Sequence, residues 1–129
     1  MHFTDICYIT EDVLRLRAFY EAVFGITAEG DGIHSVISID GLQFVFDHVD
    51  IVKENPPFCY VEALGANSII VGFNVDDVDE EYNRLLALDV EMLNQPTTHM
   101  WGARSFQFRD PDGNILNFRS LPKDDANND

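Results

Sequence analysis

Histidine and cysteine side chains are the residues of this 129-residue chain best suited to bind a metal or to act as nucleophiles. They occur as His2, His34, His48, His99, Cys7 and Cys59. No two histidines have the i, i+4 spacing of a helical metal site, and the cysteines fit no CxxC or zinc pattern. No Ser-His-Asp or Cys-His arrangement can be recognised either. We therefore interpret the histidines as surface or hydrogen-bonded residues, and Cys7, within an apolar strand, as a buried thiol.

The overall charge limits the partners of the chain. It carries 23 acidic and 8 basic residues, which gives a formal net charge of −15. Because such a surface repels phosphate backbones and anionic lipids, we expect no nucleic-acid and no membrane partner. It attracts cationic ligands, although solubility alone is the simpler explanation of the charge. The N-terminal residues lack the pattern of a signal peptide, and no segment has the length of a membrane span, so we expect a cytoplasmic protein.

Alternation and turn residues divide the first half of the chain into a strand, a helix and three further strands. The strands are predicted over 3–9, 26–29, 34–39 and 42–48. The helix between the first two begins after Thr10, a good capping residue, and ends at Gly25, which suits a left-handed C-cap. The prolines at 56 and 57 forbid a helix through 53–67, which we interpret as a linker.

The same order of elements recurs after the linker. A strand is predicted over 68–75, a helix with Asp76 or Asp77 as its cap follows, and 90–94 form a strand before a loop over 95–100. The strand-to-helix entry of the second half matches that of the first at an offset of 65 positions. Since a module this small cannot cover both faces of its sheet, we expect the two modules to pack together.

The segment 101–119 predicts two short strands joined by a tight turn. Apolar residues occupy every second position on both sides of the turn: Phe106, Phe108, Leu116 and Phe118. The turn, Asp110-Pro111-Asp112-Gly113-Asn114, supplies a proline that fixes φ and residues that tolerate positive φ. This hairpin resembles the C-terminal hairpin of the vicinal-oxygen-chelate superfamily, which includes glyoxalase I, extradiol dioxygenases and bleomycin-resistance proteins.

The resemblance covers about residues 3–121 and implies an α+β fold. Two tandem βαβββ modules would form a curled mixed-sheet cup with the helices on the outer face. We expect one domain, divided into module one (about 1–52), the linker (53–67), module two (68–121) and a frayed acidic tail (122–129). Members of the superfamily commonly pair as homodimers whose pockets are bounded by both subunits.

Strand alternation separates the residues under the helices from those that face the cup. The apolar sets expected under the helices are Ile6 and Tyr8, then Leu42, Phe44 and Phe46, then Ile69, Val71, Phe73 and Val75, and finally Leu116 and Phe118. The intervening residues of the same strands are then expected to face the cup.

Metal-using members of the superfamily bind their ion with four side chains, one each from the first and last strand of each module. The matching positions are Asp5, Gln43, Ile70 and Asn117, with Asp5 corresponding to Ile70 and Gln43 to Asn117. Only Asp5 is anionic and Ile70 has no donor atom, whereas divalent transition metals prefer imidazole, thiolate and carboxylate ligands. We therefore expect a metal-independent member with no metal site and no cofactor.

The pocket that remains suits a small organic ligand held by shape and a few hydrogen bonds. Its predicted lining is Asp5, Cys7, Gln43, Val45, Ile70, Asn74, Trp101 and Asn117, with Arg104 or Arg119 as a further polar anchor. Trp101 is consistent both with a core residue that begins a strand and with an aromatic side chain that stacks on the ligand.

The resemblance implies a glyoxalase/bleomycin-resistance-like homodimer, and the poor donor set favours one that binds a small molecule without a metal, rather than an enzyme. In its most specific form this protein sequesters a cationic antibiotic of the bleomycin type. The alternative is a lyase, isomerase or dioxygenase with an unusual or absent metal site, in which Asp5 is the candidate general base. A scaffold or regulatory dimer is a third class.

Overall fold

Two mixed sheets, one of four strands and one of five, give the chain the α+β architecture that the sequence predicts. The computed structural model describes residues 3–53 and 69–122. Most of the predicted linker and tail, together with His2 and Cys59, lies outside these residues. The chain divides into two compact units, Met1–Gly65 and Ala66–Asp129. Within the described residues, no helix is both long enough and apolar enough to cross a membrane.

The first unit contains four strands and two helices. They are β1 (Asp5–Thr10), α1 (Val13–Phe24), β2 (Glu29–Gly30), β3 (His34–Ile39), β4 (Leu42–His48) and α2 (Val49–Lys53). The strand order is β1-β4-β3-β2, with β1 parallel to β4 and the other pairs antiparallel. In place of the strand predicted over 26–29, the structure has the two-residue strand β2, which begins at Glu29. The helix α2 was not predicted.

The ends of α1 show which capping residues the helix uses. Asp12, not Thr10, is the N-cap, because its side chain accepts a hydrogen bond from the backbone N–H of Arg15 at 3.1 Å. Thr10 is the last residue of β1, and its hydroxyl accepts from the Asp12 N–H at 3.1 Å. Gly25 is the predicted C-cap, with a left-handed φ of 69°. Two side chains that accept backbone hydrogen bonds thus fix the turn between strand and helix.

The core of the first unit is aromatic and lies between α1 and the sheet. The ring of Tyr20, on α1, lies 5.8 Å from that of Phe44 and 5.4 Å from that of Phe46, both on β4. Ile37, on β3, is fully buried beside them. The predicted assignment of Phe44 and Phe46 to the helix side of the sheet is confirmed.

The second unit contains five strands and one helix. They are β5 (Ile70–Asn74), α3 (Val78–Ala87), β6 (Glu91–Met92), β7 (Thr97–Thr98), β8 (Arg104–Arg109) and β9 (Ile115–Ser120). The sheet has the order β5-β9-β8-β6, and β7 also pairs with β8. Of the two possible caps of α3, Asp77 is the one used, since it accepts from the Glu80 N–H at 3.1 Å. The strand β7 lies within the segment predicted as a loop.

Packing in the second unit follows the predicted alternation of the hairpin. Phe106 and Phe108 of β8 and Phe118 of β9 are buried, and the ring of Tyr82 on α3 meets that of Phe106 edge-on at 5.2 Å. Ile69 was expected beneath the helix but is 71% exposed. The reason is that β5 begins only at Ile70, so the alternation of the strand does not extend to Ile69.

The turn between β8 and β9 is built around the buried side chain of Asp110. Its Oδ1 accepts from the backbone N–H groups of Asp112 and Asn114, and its Oδ2 accepts from the Asn114 amide. Gly113 takes a φ of 90°, which an L side chain would strain. The DPDGN sequence is thus accounted for by the geometry of the turn.

Candidate functional site

Each sheet has a helix on one face, and the predicted ligand residues lie mainly on the opposite face. We call the face of the first sheet opposite α1 the first far face; it carries Asp5, Cys7, His34, Gln43, Val45 and Asp47. The register of β1 with β4 places Asp5 beside Gln43 and Cys7 beside Val45. The register of β4 with β3 adds His34 beside Asp47. Four of the predicted lining residues are therefore neighbours within the first unit.

A hydrogen-bonded cluster joins three strands on the first far face. The thiol of Cys7 on β1 donates to Oδ2 of Asp47 on β4, with a sulfur–oxygen distance of 3.3 Å. Nδ1 of His34 on β3 lies 2.5 Å from Oδ1 of the same carboxylate. Asp47 therefore uses both of its oxygens within the cluster. Sequence analysis missed this role of Asp47 and His34, although the alternation of β4 had placed Asp47 on the correct face.

The environment of Cys7 keeps its thiol protonated. Partial desolvation of the sulfur, then the negative charge and hydrogen bond of Asp47, then the charge of Asp5, raise the pKa of the Cys7 thiol to about 12. The residue is nevertheless exposed, so the prediction of a buried thiol is wrong. Its side chain points to the far face, where the alternation of β1 places it. Because the thiolate is the reactive form, Cys7 is a poor nucleophile at neutral pH.

The register of the second sheet changes the correspondence between the two modules. Asp5 pairs with Gln43 on the first sheet, whereas Ile70 pairs with Ile115 and Gly72 pairs with Asn117 on the second. The position equivalent to Gln43 is therefore Ile115, and that equivalent to Asn117 is Val45. The predicted correspondence of Gln43 with Asn117 is wrong, because it compared strands without their ladder partners. The predicted and the observed equivalents of Gln43 lie two residues apart on β9, which is a displacement of about 6.6 Å along the strand.

Amide side chains bond to one another on the face of the second sheet opposite α3. This second far face carries Gly72, Asn74, Ser105, Gln107, Asn117 and Arg119. The Gln107 amide donates to Oδ1 of Asn117 at 2.6 Å and accepts from the Asn94 amide at 2.5 Å. The backbone N–H of Gln107 donates in return to Oδ1 of Asn94 at 2.8 Å. Gln107 was missed, although its place opposite Asn117 follows from the length of the DPDGN turn.

Asn74 and Arg119 form a second polar pair on the same face. They are ladder partners, and Nε of Arg119 donates to Oδ1 of Asn74 at 2.8 Å. Both residues are exposed. Of the two arginines proposed as anchors, Arg119 is the one on this face.

Arg104 lies on the helix side of the second sheet instead. It shares the side of Phe106 and Phe108 on β8, because alternate residues of a strand point the same way. Nε and one terminal nitrogen of Arg104 donate to the two carboxylate oxygens of Asp79 on α3, each at 2.9 Å. The hydrogen bond from Arg104 lowers the pKa of the Asp79 carboxyl. The structure thus separates Arg104 from the polar face on which it was expected.

Trp101 is an exposed residue of the loop before β8. Its side chain is 69% exposed, so the interpretation as a core residue is wrong. The indole stacks on the His99 ring with centroids 4.5 Å apart and planes 8° apart. Nε2 of His99 in turn lies 2.7 Å from the hydroxyl of the buried Ser105. An ordered aromatic surface is therefore present, and stacking on a ligand remains a prediction.

The donor atoms of the four expected metal positions do not fit a transition-metal site. Asp5 supplies one carboxylate, and it already accepts a hydrogen bond from the Thr4 hydroxyl at 2.7 Å. Ile70, 60% exposed, supplies no donor, and the Asn117 oxygen is engaged by Gln107. Throughout residues 3–53 and 69–122, no three His, Cys, Asp or Glu side chains form a group that could hold a metal. Zinc and related ions need three or four such ligands.

One protein-family model matches most of the chain. The model of the "Glyoxalase/Bleomycin resistance protein/Dioxygenase superfamily" matches residues 2–118. No curated protein matches the sequence.

Solved structures with the same fold are distant in sequence. A glyoxalase/bleomycin resistance protein/dioxygenase from Nocardioides has a TM-score of 0.81 at 20% identity, over 95% of this chain and 85% of that one. A family enzyme from Burkholderia phytofirmans has a TM-score of 0.80 at 17% identity, over 92% and 97% of the two chains. A lactoylglutathione lyase from Agrobacterium tumefaciens has 0.70 at 20% identity, over 92% of each. At these identities the similarity establishes the fold.

Proposed function

Because the chain belongs to the glyoxalase/bleomycin resistance protein/dioxygenase superfamily, we propose that it binds a small aromatic cation, and that it does so without a divalent metal. The first far face is the surface that attracts the charged group of this ligand. The sequestration of a cationic antibiotic of the bleomycin type is the most specific form of the proposal. The protein acts as a homodimer, as is common in the superfamily.

The observation that carries the proposal is the charge of the first far face. Asp5 and Asp47 place two carboxylates on it, and the strands β1 to β4 contain no lysine or arginine. Gln43 and Val45 add an amide and an apolar surface between the acids. With a net charge of −15 on the whole chain, the electrostatic potential concentrates cations near this face and repels anions. A ligand with an aromatic body and a positive group matches both properties.

The choice of binding over metal catalysis follows from the donor chemistry. The four expected metal positions contain one carboxylate, two amides and an isoleucine, and the strand register replaces one of the amides by Ile115. Both sets are poor ligands for a transition metal. The thiol of Cys7 is protonated and therefore a weak nucleophile. Both features support a site that holds a ligand by charge, hydrogen bonds and shape.

Calorimetric titration with matched aromatic ions tests the proposal. Benzyltrimethylammonium and bleomycin are compared with benzoate, an anion of similar aromatic size, at low and at high salt. We expect the cations to bind more tightly than benzoate and to lose affinity as salt rises, because exposed charges are screened over about 8 Å at physiological ionic strength. A preference for benzoate, or binding indifferent to salt, would contradict the proposal.

Matched variants locate the binding charge. Asp5→Asn and Asp47→Asn each remove one carboxylate from the first far face, and Asp89→Asn removes one from an exposed position of the second unit. Asp89 has a φ of 61°, which asparagine also tolerates, so this control preserves the backbone. The first two variants should weaken cation binding several-fold more than the control. Equal losses in all three would mean that only the net charge matters.

Two further measurements address the alternatives. Elemental analysis of protein purified without chelators should find no stoichiometric zinc, nickel, iron or manganese; one ion per chain would favour the enzyme alternative. Light scattering at micromolar concentration should give the mass of a dimer, about twice the 14.6 kDa of the chain. A monomeric mass would remove the homodimer from the proposal.

A further inference from the structure

His34 and Asp47 are held in a defined arrangement on the first far face. The backbone N–H of His34 donates to Oδ1 of Asp31 at 3.0 Å, and the Asp31 N–H donates to the carbonyl of His34 at 2.9 Å. The His34 side chain is 58% exposed, while that of Asp47 is only 23% exposed. A largely covered carboxylate thus supports an imidazole that reaches into solvent.

The contact between the two side chains determines which imidazole nitrogen carries the proton. An ionised carboxylate can only accept hydrogen bonds, so Nδ1 of His34, at 2.5 Å from Oδ1 of Asp47, must be the donor. The thiol of Cys7 donates to Oδ2 and so occupies the other oxygen. A neutral imidazole with its proton on Nδ1 has a bare lone pair on Nε2. No hydrogen bond to Nε2 is made by the residues that the structure describes.

We propose that Nε2 of His34 accepts a hydrogen bond from an N–H group of the cationic ligand, which makes a protonated amine the preferred ligand over a quaternary ammonium ion. The inference rests on the proposed function for the existence of a cation site. His34 contacts the ligand directly. Asp47 is a positioning residue that fixes the tautomer and adds attractive charge, and Cys7 keeps the Asp47 carboxylate oriented.

Two probes that differ by one methyl group test the inference. Protonated N,N-dimethylbenzylamine carries one N–H, and benzyltrimethylammonium has a methyl group in its place. Both titrations are run at the same pH and ionic strength. We expect the N–H probe to bind about tenfold more tightly, since a hydrogen bond to a charged group contributes about that factor. His34→Ala should reduce the preference to less than about twofold, and Asp89→Asn should leave it unchanged.

A ligand-free measurement tests the tautomer independently. The ¹⁵N chemical shifts of His34 should identify the Nδ1–H form in the unliganded protein. In Asp47→Ala the ring should return to the Nε2–H form that free histidine prefers, and the preference between the probes should vanish. The preference between the probes, unlike the tautomer, would not move in this variant if His34 served only to stabilise the fold.

The outcomes separate this inference from the proposed function. Equal affinity for both ammonium probes, with both bound more tightly than benzoate, would overturn the role of His34 and leave the cation site intact. Finding the Nε2–H tautomer of His34 in the unmodified protein would also overturn the role of His34, regardless of the affinities of the two probes. Binding of neither cation would overturn both proposals.

Discussion

On the first far face, Asp5 and Asp47 stand among strands that contain no lysine or arginine, whereas the second far face carries Arg119 and a row of amides. The amides of Gln107, Asn117 and Asn94 bond to one another. The carboxylate of Asp47 instead supports the exposed ring of His34. The two units therefore share the pairing of their strands, but the side chains on their far faces differ in chemistry. The polar groups of the second far face are largely paired with one another, whereas on the first far face the His34 side chain is 58% exposed.

The helix sides of the two sheets should lose similar unfolding free energy when a buried phenylalanine is truncated, whereas substitutions on the two far faces should differ in their effect. Phe46 on β4 and Phe106 on β8 are fully buried beneath α1 and α3. Replacing either by alanine leaves a cavity, and we expect each variant to lose about 3–5 kcal/mol of unfolding free energy. Urea denaturation followed by circular dichroism measures both. A loss below about 1 kcal/mol in one of them would show that its unit depends on a different core.

Two glutamines on the far faces provide a sharper comparison. Gln107→Leu leaves Oδ1 of Asn117 and the amide of Asn94 without their partner, so we expect a loss of about 1–3 kcal/mol. Gln43→Leu, at an exposed position of the first far face, should change the stability by less than about 0.5 kcal/mol. Denaturation curves of the two variants, measured side by side, test the difference. Equal losses would mean that the amide network does not stabilise the second unit.

The sequence predicted the elements whose signals are local. The strands β3 and β4, the Gly25 cap and the aromatic alternation around DPDGN all depend on residues a few positions apart, and all were predicted. The helix-side position of Arg104 follows from its alternation with Phe106 and Phe108, a local signal that was not applied to it. The hydrogen bonds of Cys7 with Asp47 and of Arg104 with Asp79 instead depend on partners that lie far along the chain. The correspondence of Gln43 with Asn117 failed for the same reason. Which residues share a rung follows from strand pairing, and a single strand does not specify its partner.

The Cys7 thiol reports directly on the charge of the first far face. At about pH 8.5 the thiol, with its pKa near 12, should react slowly with iodoacetamide. Asp47→Asn removes a charge and changes the hydrogen bond that help raise this pKa. We expect alkylation of Cys7 to accelerate, because the thiolate fraction rises about tenfold for each unit by which the pKa falls, although a less basic thiolate is a somewhat weaker nucleophile. Peptide mass spectrometry distinguishes Cys7 from Cys59, and Asp89→Asn is the control. An unchanged rate in Asp47→Asn would show that desolvation and the charge of Asp5 hold the thiol protonated without Asp47.

The raised pKa of the Cys7 thiol also makes the free energy of unfolding depend on pH. In the unfolded chain the thiol has the ordinary cysteine pKa of 9.0, and in the folded chain its pKa is about 12. Folding therefore favours the protonated thiol, so this contribution is complete below about pH 9 and is lost as the pH rises toward 12. Cys7→Ser should flatten the decline of stability in that range. A decline of unchanged slope would assign it to other groups.

The smallest effect is expected at the ion pair between Arg104 and Asp79, on the helix side of the second sheet. Both side chains are exposed, and exposed pairs contribute little because water and salt screen them. Arg104→Gln should therefore lower the stability less than Gln107→Leu does, with the difference from the parent shrinking as salt rises. The hydrogen bond from Arg104 lowers the pKa of Asp79, so the pair stabilises the fold above the titration of that carboxyl and is lost as the pH falls through it. Cation binding should stay unchanged in Arg104→Gln, because the residue lies on the face that α3 covers. A clear change in cation affinity would place Arg104 near the ligand after all, and the division between helix sides and far faces would no longer separate stability from binding.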